Sequence, residues 1–221
     1  MDFIPKITAV SYLNTIPFVY GLKHADNLRA ELSLAPPADC ARNYIEGRAD
    51  IALLPAAVVP SLTDTNIITD YCIGAVGAVR TVTVMSNHPI SAVKRIWLDP
   101  HSRTSVQLCG YLAKHKWHIT PEWIAMSDYA RVESPEEGDA FLLIGDKVFG
   151  YEGRFPYIYD LAIEWREATK LPFAFAVWVA RKGVPNEVTD ELQRALTFGV
   201  EHTWEAITES PYMGKDNGIT A

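Results

Sequence analysis

Apolar residues fall along the chain into short unbroken runs, separated by stretches in which they recur every three or four positions. Seven runs read as strands: Lys6–Val10, Ile51–Leu54, Cys72–Val76, Val79–Met85, Arg95–Leu98, Ala140–Ile144 and Phe173–Ala180. Several are apolar throughout rather than alternating, as strands covered on both faces should be. The helical period appears at Pro37–Glu46, which ends at Gly47, and at Ser102–His115, with Ser105, Leu108, Cys109 and Leu112 on one stripe. Leu161, Trp165 and Ala168 mark another helix. The strongest pattern comes late: Asn186 as cap, then Val188, Leu192, Ala195, Leu196 and Gly199. Alternation of this kind predicts an α/β protein with largely parallel sheets.

Val79–Met85 and Phe173–Ala180 are long, β-rich and far apart, as a pair of chain crossings between two lobes would be. Ligands of open α/β sheets bind beyond the carboxyl ends of strands, so a cleft between lobes is the expected site. There is no internal repeat, low-complexity tract or Gly/Ser linker.

With 221 residues the chain holds one large domain or two small lobes. A content of 48% hydrophobic and 21% charged residues rules out a disordered or collagen-like chain. The longest apolar stretches, Ile51–Pro60 and Phe173–Ala180, fall short of the ~20 residues of a membrane helix. Lys and Arg number 20 against 27 Asp and Glu, and the net charge of −7 is relieved by no basic run. That argues against nucleic acid as a partner. Cys40, Cys72 and Cys109 form no C-x-x-C pair and read as reduced, mostly buried thiols. The start, Met1–Lys6, has no basic region followed by an apolar stretch, so a cytoplasmic location is expected.

Dinucleotide, phosphate-loop, nucleophile-elbow and zinc-protease motifs are absent from the sequence. His115 and His118 have a spacing open to two metal ligands, but they close a helix in a Lys/His-rich stretch that reads more simply as a solvated terminus. Three segments carry more chemistry. Asp99-Pro-His-Ser-Arg-Thr-Ser105 follows a strand and opens a helix, an arrangement suited to anions, with Arg103 as an added charge; a plain cap by Ser102 or Thr104 is the alternative. Ser11-Tyr-Leu-Asn-Thr-Ile-Pro-Phe18 puts Asn14 at the end of the first strand, as a ligand contact or a helix cap. Asp139–Lys147 runs an apolar strand into Gly145-Asp146, where glycine allows a ligand to approach the backbone or simply makes a turn.

Together these segments resemble the chorismate dehydratase family of menaquinone biosynthesis. The resemblance runs in order through Ser11–Asn14, Pro17-Phe18, Tyr20-Gly21-Leu22, Gly47–Pro55, Val79-Arg80-Thr81-Val82, Asp99–Ser105, Ile144-Gly145-Asp146, Tyr159-Asp160-Leu161 with Trp165, and Leu171–Arg181. It implies a two-lobed α/β fold similar to type II periplasmic binding proteins, with the ligand cleft between lobes. Residues 1–80 plus 178–221 would form one lobe and 81–177 the other. The implied reaction is dehydration of chorismate to 3-[(1-carboxyvinyl)oxy]benzoate, the entry to the futalosine route, with no metal or other cofactor. Carried over position by position, Asn14 stands at the reacting centre. Ser11, Thr81, Thr104, Ser105, Gly145 and Asp146 bind substrate, with Thr104 and Ser105 on a carboxylate and Asp146 mainly structural. Thr81 replaces the family's usual serine, keeping the hydroxyl and adding a methyl group. Family members continue for some tens of residues, and this sequence stops at Gly218–Ala221, where a final helical segment would start.

Two other readings share the fold. One is a non-catalytic binding protein for a small carboxylate. The other is the sister enzyme 1,4-dihydroxy-6-naphthoate synthase, whose start resembles Ser-Pro-Cys-Pro-Asn-Asp, unlike Ser11–Asn14, and whose catalytic histidine has no clear counterpart.

Overall fold

A computed structural model describes residues 3–210. Gly218–Ala221, where the final helical segment would start, lie outside the described residues. In chain order the elements are β1 (Lys6–Val10), α1 (Ile16–Lys23), β2 (Glu31–Ala35), α2 (Pro37–Ile45), β3 (Ile51–Pro55), β4 (Thr65–Ala75), β5 (Val82–Ser86), β6 (Arg95–Leu98) and α3 (Thr104–His115). There follow β7 (Glu122–Ala125), α4 (Ala130–Glu133), β8 (Asp139–Ile144), β9 (Tyr157–Asp160), α5 (Leu161–Thr169), β10 (Phe173–Arg181), α6 (Asn186–Glu201) and α7 (Thr203–Thr208). The chain divides into two compact units, Met1–Ile73 with Ala176–Ala221 and Gly74–Phe175. It passes from one to the other at the end of β4 and within β10.

The first unit carries the sheet β2-β1-β3-β10-β4. β1 pairs parallel with β2 and β3, and β10 runs antiparallel to β3, with Trp178 opposite Leu53. Leu53 and Trp178 face a core shared with Phe18 and Leu22 of α1 and Leu192 and Leu196 of α6. Their neighbours Ala52, Leu54 and Val179 face the opposite side, against Ala41 and Tyr44 of α2. Coverage on both faces is the reason Ile51–Pro55 is apolar at every position. The helices α1 and α6 meet through glycine. A Cβ on Gly21 would sit 1.9 Å from the Ala195 carbonyl oxygen, and one on Gly199 would sit 1.9 Å from that of Pro17. Backbone therefore lies against backbone at this crossing.

The second unit carries the sheet β7-β6-β8-β5-β9. β6 pairs parallel with β7 and β8, and β5 is antiparallel to both β8 and β9. The carboxyl ends of β6, β8 and β9 consequently share one edge with the start of β5. Both sheets are mixed, not largely parallel as expected. α3 packs on β8 and α5 on β5, while Phe141, Leu143 and Met85 pack with Met126, Val148 and Phe155.

Several elements depart from the sequence pattern. β4 begins at Thr65, well before Cys72; none of its residues is buried and several are polar, so the apolar pattern marks only its end. Cys72 is exposed, whereas Cys40 and Cys109 are buried, and none of the three is in a disulfide. β5 starts only at Val82, after a turn in which Arg80 takes a left-handed backbone. Tyr159 and Asp160 end a strand; the helix begins after them at Leu161, with Ala168 exposed. Pro185, not Asn186, caps α6. Among the described residues no helix is long and apolar enough to cross a membrane.

Candidate active site

In the first unit the parallel ladder extends one residue past β1, where the Ser11 amide donates to the Ala35 carbonyl at 3.1 Å. The chain then turns through a single 3-10 turn, Leu13–Thr15, and enters α1 with Pro17 in its first turn. Thr15, 1% exposed, closes the turn. Its hydroxyl lies 2.5 Å from the Val10 carbonyl oxygen and 2.6 Å from that of Tyr12, and shares its one proton between them. Asn14 stands exposed on the crest, and its amide has no hydrogen-bond partner among the described residues. The Ser11 hydroxyl, half-buried, has none either. Asn14 is not a helix cap: the residue preceding α1 is Thr15, and no side chain caps it.

In the second unit the shared sheet edge collects the other candidates. Val82 pairs with Ile144, and the Gly145 amide donates to the Thr81 carbonyl at 2.8 Å, so Thr81 and Gly145 are direct neighbours. Gly145 has φ +76°, the left-handed region where a side chain is strained; Asp146 then opens a 3-10 helix, Asp146–Tyr151. Next to them the chain leaves β6 at Asp99. Neither Ser102 nor Thr104 caps α3; Arg103 holds the cap position without a capping side chain. Ser102, Thr104 and Ser105 are buried at 2%, 6% and 5% exposure, and the Ser102 hydroxyl has no partner among the described residues. Arg103 is exposed, and its guanidinium donates to the Ser102 carbonyl at 3.3 Å. The start of α3 thus offers hydroxyls and first-turn amides, the arrangement that favours an anion.

Two carboxylates that sequence reading left without a role organise this edge. Asp99 is 2% exposed and accepts from the Ile144 amide at 3.1 Å and from Lys147 at 2.8 Å. Asp160 caps α5 through one oxygen, accepting from Ala162 and Ile163 at 2.9 and 3.2 Å. Its other oxygen accepts from Val79 at 2.9 Å and Arg80 at 2.6 Å, immediately before Thr81. The signal in the sequence is slight: an aspartate at the end of an apolar run, with a helix soon after.

The rest of the candidate chemistry is quiet. The Cys40 thiol is pushed up to about 11 and the Cys109 thiol to about 12, both chiefly by burial, so neither is a thiolate near neutrality. His115 packs beside Tyr111 with ring centroids 4.5 Å apart and planes tilted by 33°, and His118 is exposed with a left-handed backbone. Among the described residues no group of three His, Cys, Asp or Glu side chains is placed to hold a metal ion.

A family model described as menaquinone biosynthesis matches residues 5–216. A curated chorismate dehydratase from Thermus thermophilus is 27% identical, the match covering 76% of this chain and 72% of that protein. A solved structure from Archaeoglobus fulgidus superposes with a TM-score of 0.71 at 22% identity, over 92% of this chain and 79% of the other. A Candida albicans gene product described as exhibiting the generic periplasmic binding protein structural fold has a TM-score of 0.60 at 14% identity, over 94% and 75% of the two chains. Those two likenesses establish the fold class, α/β and periplasmic-binding-protein-like. Since the family model runs through nearly all of the sequence, this chain belongs to the menaquinone biosynthesis family.

Proposed function

We propose that this protein is a chorismate dehydratase, a lyase that removes water from chorismate to give 3-[(1-carboxyvinyl)oxy]benzoate. The observation that carries the reading is the 27% identity to a relative of that name, within the menaquinone biosynthesis family. In the reaction the C–H bond at the ether-bearing ring carbon breaks, its electron pair becomes a ring double bond, and the neighbouring C–O bond breaks. The hydroxyl leaves, takes up a proton and departs as water. The new ring is aromatic, so the drive is large and the protein's task is to orient and polarise.

An amide is no base at neutral pH, so Asn14 acts by holding the substrate at the reacting centre through its donor and acceptor. The enolpyruvyl carboxylate of the substrate itself takes the ring proton. Ser11 assists from the same turn. Thr104 and Ser105, with the start of α3, hold a carboxylate through neutral donors. Thr81 and Gly145 supply adjoining contacts, and Asp146 shapes the wall beside them. No step in this scheme requires a metal or an organic cofactor. The small-molecule substrate and the menaquinone pathway fit a cytoplasmic enzyme.

The test is direct. Purified protein is incubated with chorismate, and the enolpyruvyl-benzoate is sought by mass spectrometry. Product formation supports the reading, and its absence with folded protein defeats it. The likeness to a protein with the periplasmic binding protein fold favours one rival, a non-catalytic carboxylate-binding protein. That reading predicts chorismate binding by calorimetry with no product.

A further inference from the structure

We propose that Asp99 is a positioning residue whose one carboxylate fixes both turns at the candidate carboxylate-binding edge, with Lys147 as its counter-charge instead of a substrate ligand. The catalytic consequence rests on the dehydratase reading; the clamp itself does not.

The geometry is divided between the two carboxylate oxygens. Oδ1 accepts from the His101 amide at 3.0 Å and from the Tyr129 hydroxyl at 3.1 Å. That oxygen shapes the turn that leads to Thr104 and Ser105. Oδ2 accepts from the Ile144 amide at 3.1 Å and from Lys147 at 2.8 Å. That oxygen holds the end of β8, where Gly145 and Asp146 begin. The main chain adds to the link: the Asp99 amide donates to the Leu142 carbonyl, and the Ser102 amide to the Asp99 carbonyl, each at 3.1 Å. Lys147 also donates to the Ile144 carbonyl at 2.7 Å, and its ammonium stands 5.0 Å from the centre of the Tyr129 ring.

The chemistry needs an aspartate. Four donors converge on the side chain, which only a carboxylate, accepting at both oxygens, can satisfy. An asparagine turns its NH2 toward the donors of one turn and offers the other a neutral amide oxygen in place of a charged one, so both turns loosen. The Asp99 side chain is wholly buried and that of Lys147 is 23% exposed. A buried carboxylate must be balanced, and one left unbalanced here would also repel the anion this edge is read to bind. With Lys147 spent on that balance, attraction for a substrate carboxylate falls to the start of α3, the hydroxyls beside it and the exposed Arg103. The buried Ser102 hydroxyl lies in the very turn that Asp99 shapes.

The test compares wild type, Asp99→Asn and the double variant Asp99→Asn/Lys147→Met, which also removes the lysine that the single change deprives of its carboxylate. Hydrogen exchange is followed in residues 101–106 and 143–148, with residues 6–10 of the first unit as reference, alongside chorismate turnover. In both variants exchange should rise about tenfold or more in both segments and stay unchanged in the reference. Turnover should fall about a hundredfold, mostly in kcat, since a small misplacement of binding groups costs that much. The double variant should not recover it. Wild-type exchange in either segment of the double variant overturns the clamp, as does turnover within about threefold of wild type. A rise spread over the whole second unit overturns it too, because the pair would then serve general stability. Absence of turnover in wild type defeats the dehydratase reading alone, and the exchange pattern still decides the clamp.

Discussion

The turn at Ser11–Thr15 and the turn at Asp99–Ser105 both leave the carboxyl end of a sheet strand and run into a helix, yet they are held by different means. The first relies on a neutral hydroxyl and on volume. One buried threonine closes it, and the helix after it is seated by Gly21 and Gly199 at a crossing with no room for a methyl group. The second relies on charge. Asp99 and Asp160 gather backbone amides from neighbouring turns, and Lys147 balances the first of them. Changes of side-chain size should therefore damage one turn, and changes of charge or pH the other.

The largest effect on stability is expected at the glycine crossing. Gly21→Ala or Gly199→Ala drives a methyl group into a carbonyl oxygen that belongs to a helix and has no room to retreat. A loss of about 4 kcal/mol or more is expected, above the usual cost of overpacking, because the clash is with backbone. Urea unfolding of the two variants measures it. A loss below about 1 kcal/mol would show that α1 and α6 slide apart easily and that volume does not seat the first turn.

The charge-held unit should fail first in acid. At the opposite end of its sheet, Asp139 is 1% exposed and receives Arg95 at 2.7 Å, Arg131 at 2.9 Å and the Glu136 amide at 2.9 Å. Burial pushes its carboxyl up, but the Glu136 amide and the two guanidinium groups outweigh that and hold it below the ordinary value. The lowered folded value means stability that is present above the unfolded pKa of about 3.9 and lost as pH falls through the folded one. Asp139→Asn should cost about 3 kcal/mol at neutral pH. The difference from wild type should shrink steadily below about pH 4. Denaturant titrations at several pH values test this; a gap that stays constant into acid would mean that Asp139 is not held ionised by its partners.

Asp160→Ala comes next, at about 2 kcal/mol, from the lost α5 cap and the two amides before Thr81 left without an acceptor. Hydrogen exchange should rise at residues 79–81 and 161–163. A rise at the cap alone would show that Thr81 is placed by its pairing with Gly145, not by Asp160.

How much of this was legible in the sequence follows from where each signal resides. Uniformly apolar strands such as Ile51–Pro55 and Asp139–Ile144 are unmistakable because both faces are buried. The edge strands Glu31–Ala35, Glu122–Ala125 and Tyr157–Asp160 expose much of their length, and their few apolar residues, such as Leu32, Trp123 and Ile158, make a weaker signal. The stripe on α6 showed that Gly199 faces inward, but not that it meets another glycine, since that is a property of two helices. The site segments stood out as polar residues at strand ends. Asp99 and Asp160 did not: their value lies in amides from distant positions, such as Ile144 and Val79, that only the fold brings within reach.

The smallest expected effect on stability separates fold from function within the volume-held turn. Asn14 is exposed and its side chain bonds to nothing among the described residues, so Asn14→Ala removes no contact the fold uses. Stability should change by less than about 0.5 kcal/mol. Turnover of chorismate should nonetheless fall by about two to three orders of magnitude, the cost of removing a donor that meets charge developing in the transition state. A variant equally stable and equally active would strip Asn14 of its proposed role. A variant less stable by 1 kcal/mol or more would mean that the amide has a partner in the folded protein, and that this turn is held by more than volume and the Thr15 hydroxyl.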